Sequence, residues 1–124
     1  MTTVLNWFEI PSADFDRAVK FYGDVLGRSL EIVDGPGGGR MAAFGPLDAE
    51  VNGAIVHTDM YTPGPNGPAL YLTVQGDLDD YLARVTPAGG RVINPKTLLN
   101  DGSGAHWARI EDTEGNYVGL YSRA

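Results

Sequence analysis

Apolar residues along this chain recur at two spacings, and the spacings take turns. Val4 to Ile10 alternates and is stopped by Pro11, which predicts a short strand. Its alternation sets Phe8 and Ile10 on one face and Leu5, Trp7 and Glu9 on the other. From Phe15 the period lengthens. Phe15, Ala18, Val19, Tyr22, Val25 and Leu26 fall on one helical stripe, with Ser12 or Asp14 able to cap it and Gly27 to end it. Strands are then predicted at Ser29–Val33, Met41–Phe44 and Gly53–His57, with a Gly-rich turn at Asp34–Gly39. After a Pro/Gly connector (Thr62–Pro68) the order starts again. Ala69–Val74 reads as a strand and Asp77–Ala88 as a helix. Arg91–Leu98, Ala105–Ile110 and Tyr117–Ser122 read as strands.

The second half repeats the first in residues as well as in order. Asp77-Leu78-Asp79 follows Asp14-Phe15-Asp16 by 63 positions, and without a gap the match reaches Gly27-Arg28 and Gly90-Arg91. A unit of this size is too small to fold alone and must pack against its copy. Such a pair can build a cavity between its halves. The predicted architecture is α+β. Two tandem βαβββ modules, about 1–60 and 68–124, form one domain.

Composition narrows the chemistry. The 124 residues contain no cysteine, which excludes disulfides, thiol catalysis and zinc–thiolate sites. A net charge of −7 argues against nucleic acid and anionic membrane surfaces and favours a cationic ligand, although an acidic surface also serves solubility alone. No apolar run is long enough to span a bilayer, and Met1–Asn6 lacks the basic start of a signal peptide, so a cytoplasmic location is expected. Gly35–Gly39 lacks the Lys-Ser/Thr of a phosphate loop and reads as a hairpin turn.

Two motifs carry a resemblance. Asp14, Ala18, Phe21, Tyr22 and Gly27 form the pattern Asp-x-x-x-Ala-x-x-Phe-Tyr-x-x-x-x-Gly, and Asp112-Thr113-Glu114-Gly115-Asn116 leads into the last strand. At this separation, within this order of elements, the chain resembles the vicinal oxygen chelate superfamily of glyoxalase I, bleomycin-resistance proteins and extradiol dioxygenases. The resemblance implies a curved mixed sheet that encloses an open ligand cup and, in many members, a homodimer. It also implies four positions at which metal-dependent members place His, Glu or Gln around a divalent ion. Those positions fall here on Trp7, Ala54, Ala69 and Gly119. None has a side chain that can ligate, so no metal cofactor is expected. A divalent ion held by displaced ligands remains an alternative.

The residues expected to look into the cup are Leu5, Trp7, Glu9, Val56, Tyr71, Tyr117, Gly119 and Tyr121. His106 is added as a candidate whose face the sequence leaves open. Aromatic faces stack on planar ligands and attract cations, and a carboxylate pairs with a positive group. The same aromatics would equally fill a core. Glu9 would be structural if Arg40, Lys96 or Arg109 paired with it. Three functions follow. The first is binding of a small aromatic or cationic molecule without the family metal. The second is a metal-independent isomerase, epimerase or lyase with Glu9 as general base, partnered by His106 or Lys96. The third is a metal-dependent lyase or dioxygenase with displaced ligands.

Overall fold

The order of elements is that of the repeat: β1 (Trp7–Pro11), α1 (Phe15–Leu26), β2 (Glu31–Asp34), β3 (Arg40–Ala43), β4 (Asn52–Val56), β5 (Tyr71–Thr73), α2 (Leu78–Val85), β6 (Arg91–Leu98), β7 (His106–Glu111) and β8 (Tyr117–Ser122). The computed structural model describes residues 4–35 and 39–124. Residues 1–3 of the chain start, and residues 36–38 of the turn expected at Asp34–Gly39, lie outside the described residues. On the flanks of that turn the Gly35 N–H donates to the Gly39 carbonyl, and β2 pairs antiparallel with β3.

The strands form two four-stranded sheets, ordered β1-β4-β3-β2 and β5-β8-β7-β6. In each, the first strand of the module runs parallel to the last, and the remaining pairs are antiparallel. The result is two mixed sheets in an α+β fold, one per module, in place of a single continuous ladder.

Both helices start at the aspartates that the repeat brought into register. The Asp14 carboxylate accepts from the Arg17 N–H at 3.1 Å, and the Asp77 carboxylate accepts from the Asp79 N–H at 2.9 Å. Each satisfies a donor that the first helical turn leaves unpaired. Gly27 closes α1 at φ 72°, a left-handed backbone that a side chain would strain. Gly90 recurs for another reason. A Cβ there would come within 2.6 Å of the Phe21 ring and 2.5 Å of the Glu111 carbonyl oxygen.

The helices share one core with both sheets. Ile10 and Ile55 from the first sheet, Phe21 and Tyr22 from α1, and Leu78, Ile110 and Leu120 from the second module are buried in a single cluster. The helices also meet directly, because Arg84 of α2 donates from Nε to the Val25 carbonyl at 2.9 Å near the end of α1. That contact supplies a donor to a helix C-terminus that has unpaired carbonyls.

The turn at Asp112–Asn116 ties the second module to the first. Asp112 is 4% exposed. Its carboxylate accepts from the Tyr22 hydroxyl at 2.7 Å, from the N–H groups of Glu114 and Asn116, and from Asn116 Nδ2. Asn116 also donates to the Pro11 carbonyl and accepts from the Gly64 N–H. The Glu114 side chain is fully enclosed and accepts from the Ala13 and Asp14 N–H groups, both at 2.8 Å, and from Arg17 Nε at 2.7 Å.

Ionisation of these groups follows their surroundings. Burial raises the Asp112 carboxyl above its ordinary value against the pull of its hydrogen bonds, and burial together with Asp112 raises Tyr22 well above its own. For Glu114 burial acts upward but is outweighed by Arg17, the Asp14 and Ala13 N–H groups and the Thr113 hydroxyl, which hold it at about 2. A carboxylate depressed in the folded state stabilises fully above its unfolded pKa, and that contribution fades as the pH falls toward the folded one. Glu114 therefore supports the fold above about pH 4.5 and withdraws that support between there and about pH 2. Glu114→Gln is expected to cost about 2 kcal/mol at pH 7, after allowance for the half-exposed Arg17. The difference in urea midpoint between wild type and variant should shrink as the pH is lowered from 6 to 3. A pH-independent difference would assign the cost to packing.

Candidate functional site

Sheet pairing sorts side chains between the helix-covered face and the open one. On β1, Ile10 belongs to the core, and Trp7 and Glu9 project to the opposite side, where Trp7 Nε1 donates to Glu9 Oε2 at 3.2 Å. Glu9 stands beside Ala54, and Pro11 beside Val56. On the second sheet, Val118 and Leu120 are core residues, which leaves Tyr117, Gly119 and Tyr121 on the open face.

A cleft of about 860 Å³ lies between the first module's edge strand and the start of β8. Trp7, Glu9, Met60, Tyr61, Leu70 and Tyr117 are among its walls, and Leu5 stands at its margin. A smaller cavity of about 220 Å³ adjoins it, lined by Tyr71, Arg109, Tyr117 and Gly119, and the two share Leu70, Tyr117 and the connector residues Pro65, Gly67 and Pro68.

Gly119 lies under the ring of Tyr71. The two are paired across the parallel ladder, and a Cβ on Gly119 would come within 2.2 Å of the ring. Tyr71 is held there by contacts along its row and beside it. Its hydroxyl accepts from Arg109 Nη2 at 2.9 Å, and its ring meets Trp107 edge-on with centroids 6.4 Å apart. Arg109 pairs with Gly119 across β7 and β8. It donates from Nη1 to Asn94 Oδ1 at 3.2 Å and passes 5.4 Å from the Trp107 ring centre.

The expected cup residues are therefore divided. Trp7, Glu9 and Tyr117 line the large cleft together with Leu5, and Tyr71, Tyr117 and Gly119 line the small cavity. Tyr121 occupies the open face beside Trp107, and Val56 has only 8% of its surface exposed. His106 is on the wrong side. It pairs with Ser122, whose hydroxyl donates to the Gly76 carbonyl, and its own Nδ1 lies 3.2 Å from the Ala124 carbonyl. Alternation with the core residues Ala108 and Ile110 was the signal for that face.

None of the three suggested partners reaches Glu9. Arg40 lies 3.7 Å from Asp16 and Lys96 2.8 Å from Asp77, while Arg109 goes to Asn94 and Tyr71. Lys96 leaves the open face because β6 carries register irregularities on both sides of Asn94, the second of which contains Pro95. A proline cannot donate to the ladder and belongs at such breaks. Sequence reasoning left Asn94 and Trp107 unnamed and considered Arg109 only as a partner for Glu9.

Comparison with known proteins now places the fold. The profile of the Glyoxalase/Bleomycin resistance protein/Dioxygenase superfamily matches residues 4–120. The chain belongs to that superfamily. It is similar to "Putative glyoxylase CFP32" of Mycobacterium bovis and of Mycobacterium tuberculosis, each 30% identical over 118 residues that cover 94% of this chain. The chain spans 44% of the length of those relatives. Among solved structures it is similar to a glyoxalase/bleomycin resistance protein from Albidiferax ferrireducens T118. That match has TM-score 0.72 and 17% identity, and covers 97% of this chain and 99% of the other. A superfamily member from Sphaerobacter thermophilus matches with TM-score 0.67 and 22% identity, covering 97% of each chain. At these identities the likeness to solved structures speaks for the fold.

A divalent metal implied by the superfamily finds no donor set at the corresponding residues. Trp7 offers only an indole N–H, which Glu9 already accepts, and Ala54 is fully buried. Ala69 lines the small cavity without a donor atom in its side chain, and the space above Gly119 holds the Tyr71 ring. Among the described residues no three His, Asp or Glu side chains converge where they could hold an ion. The residues do not fit the group.

The Tyr71 ring makes position 119 intolerant of any side chain. Gly119→Ala is expected to destabilise by about 1–3 kcal/mol, the usual cost of overpacking. Tyr71→Ala should relieve most of that penalty when the two are combined. A double-mutant cycle in urea unfolding measures the coupling. Additive effects would mean that the ring does not occupy the space.

Proposed function

We propose that this glyoxalase/bleomycin-resistance-like chain binds a small aromatic or cationic molecule in the cleft beside β1, without the family metal. The observation that carries this reading is the Trp7–Glu9 pair. It puts a carboxylate and an aromatic face side by side on one wall of a cleft large enough for a small organic molecule. Tyr61 and Tyr117 add further aromatic surface. A cation seated there gains from the ring quadrupoles and from a charge-assisted contact to Glu9, and Trp7 orients that carboxylate.

Calorimetric titration with N-methylquinolinium, a planar aromatic cation, tests the reading against quinoline, its neutral counterpart above pH 7. The cation is expected to bind the more tightly. Glu9→Gln should reduce its affinity by about tenfold and Trp7→Ala by a similar factor. Unchanged affinity in both variants would remove this wall from the site. Elemental analysis of protein purified without added metal tests the second half of the proposal, and a stoichiometric divalent ion would overturn it. If a bound compound is consumed by wild type and only bound by Glu9→Gln, Glu9 is a general base and the chain is a metal-independent enzyme.

A further inference from the structure

We propose that Arg109 forms an anion subsite in the small cavity and that the natural ligand carries a carboxylate or similar oxyanion that docks on its guanidinium. The inference deepens the small-molecule reading above and rests on it.

Of the chain's nine basic side chains, Arg28, Arg84, Arg109 and Arg123 make no ion pair among the described residues, and Arg109 is the one of these four that lines either cavity. Arg17, Lys20, Arg40, Arg91 and Lys96 each lie within 4 Å of a carboxylate. Arg109 has no such partner among the described residues, although it stands in a cavity. Glu111, the acid two positions along the same strand, is engaged by Arg91 at 2.7 Å.

The surroundings of Arg109 fix its plane and leave donors over. Its two described hydrogen bonds go to neutral acceptors, Asn94 Oδ1 and the Tyr71 hydroxyl. A guanidinium has five N–H donors in a rigid fork, so donors remain for an incoming anion. Trp107 lies against it and limits its rotation. An arginine held by neutral groups in an aromatic setting keeps its full charge available, and a carboxylate matches the fork in two parallel bonds.

The location adds chemistry. Arg109, Gly119 and Tyr71 lie in one row across the sheet. Arg109 puts a fixed positive charge in the same row. The adjoining cleft has Glu9 on its far wall, and Tyr117 borders both spaces. A ligand that filled both would be a flat molecule with its anionic group at Arg109 and any cationic group toward Glu9.

Three probes of similar shape separate the claims: 2-naphthoate, its neutral amide 2-naphthamide, and N-methylquinolinium. In calorimetric titrations wild type is expected to prefer 2-naphthoate over 2-naphthamide by about tenfold or more. Arg109→Gln should abolish that preference and leave 2-naphthamide affinity within about twofold. Arg109→Lys should keep part of it, because charge survives without the fork. The Arg109 Nε–H resonance of wild type should shift with 2-naphthoate and stay in place with 2-naphthamide, a readout independent of whether the variants fold. Equal binding of naphthoate and naphthamide, or a preference that persists in Arg109→Gln, overturns the anion subsite and leaves the cleft reading standing. Binding of none of the three probes overturns both.

Discussion

The carboxylate of Asp112 is taken out of water and surrounded by donors from its own turn and from α1. Around it, the five residues of the turn reach the end of β1, the start of α1 and the connector between modules. Each of those places has backbone groups that its own module does not satisfy. Asn116 meets the Pro11 carbonyl and the Gly64 N–H. Glu114 meets the N–H groups ahead of α1. Since no ladder joins the two sheets, this exchange of hydrogen bonds and the shared core set how β1 stands relative to β8. The width of the cleft follows from that spacing. The opposite walls of the cleft are thus held by a polar clasp whose Asn116, Pro11 and Gly64 themselves border it.

Much of this was legible because the duplication preserves functions that chemistry constrains. Asp14 and Asp77 recur because both helices need an N-cap. Gly27 and Gly90 recur by coincidence of need, one for its backbone angle and one for room beside Phe21. Boundaries moved where burial fails. The first strand begins at Trp7, where the β1–β4 register starts, and Val4 to Asn6 are exposed. The second helix ends at Val85, short of the expected Ala88, before Pro87 would have to donate an N–H inside it.

The site was legible on β1 and less so on the second sheet. Alternation alone puts Trp7 and Glu9 together. On β6 alternation breaks at Pro95, and a reading that ignored the break would have left Lys96 in the cup. His106 belonged to the core-side set of its strand, a fact available from Ala108 and Ile110 but obscured by its polarity. The role of Arg109 depends on Tyr71 and Asn94, which are 38 and 15 residues away in sequence. No local pattern conveys such a meeting, because register across four strands decides it.

The ring of Tyr71 over Gly119 also bears on how such a chain can change. A histidine or glutamate introduced at 119 by one substitution would meet the ring before it met any ion. Loss of the ring first would strip Arg109 of a hydrogen-bond partner and Trp107 of its edge-on neighbour. Each step alone is disfavoured, and only the pair makes room for a ligand atom. Two positions 48 residues apart in sequence must therefore change together, so the ring couples what the chain can carry at 119 to what it carries at 71.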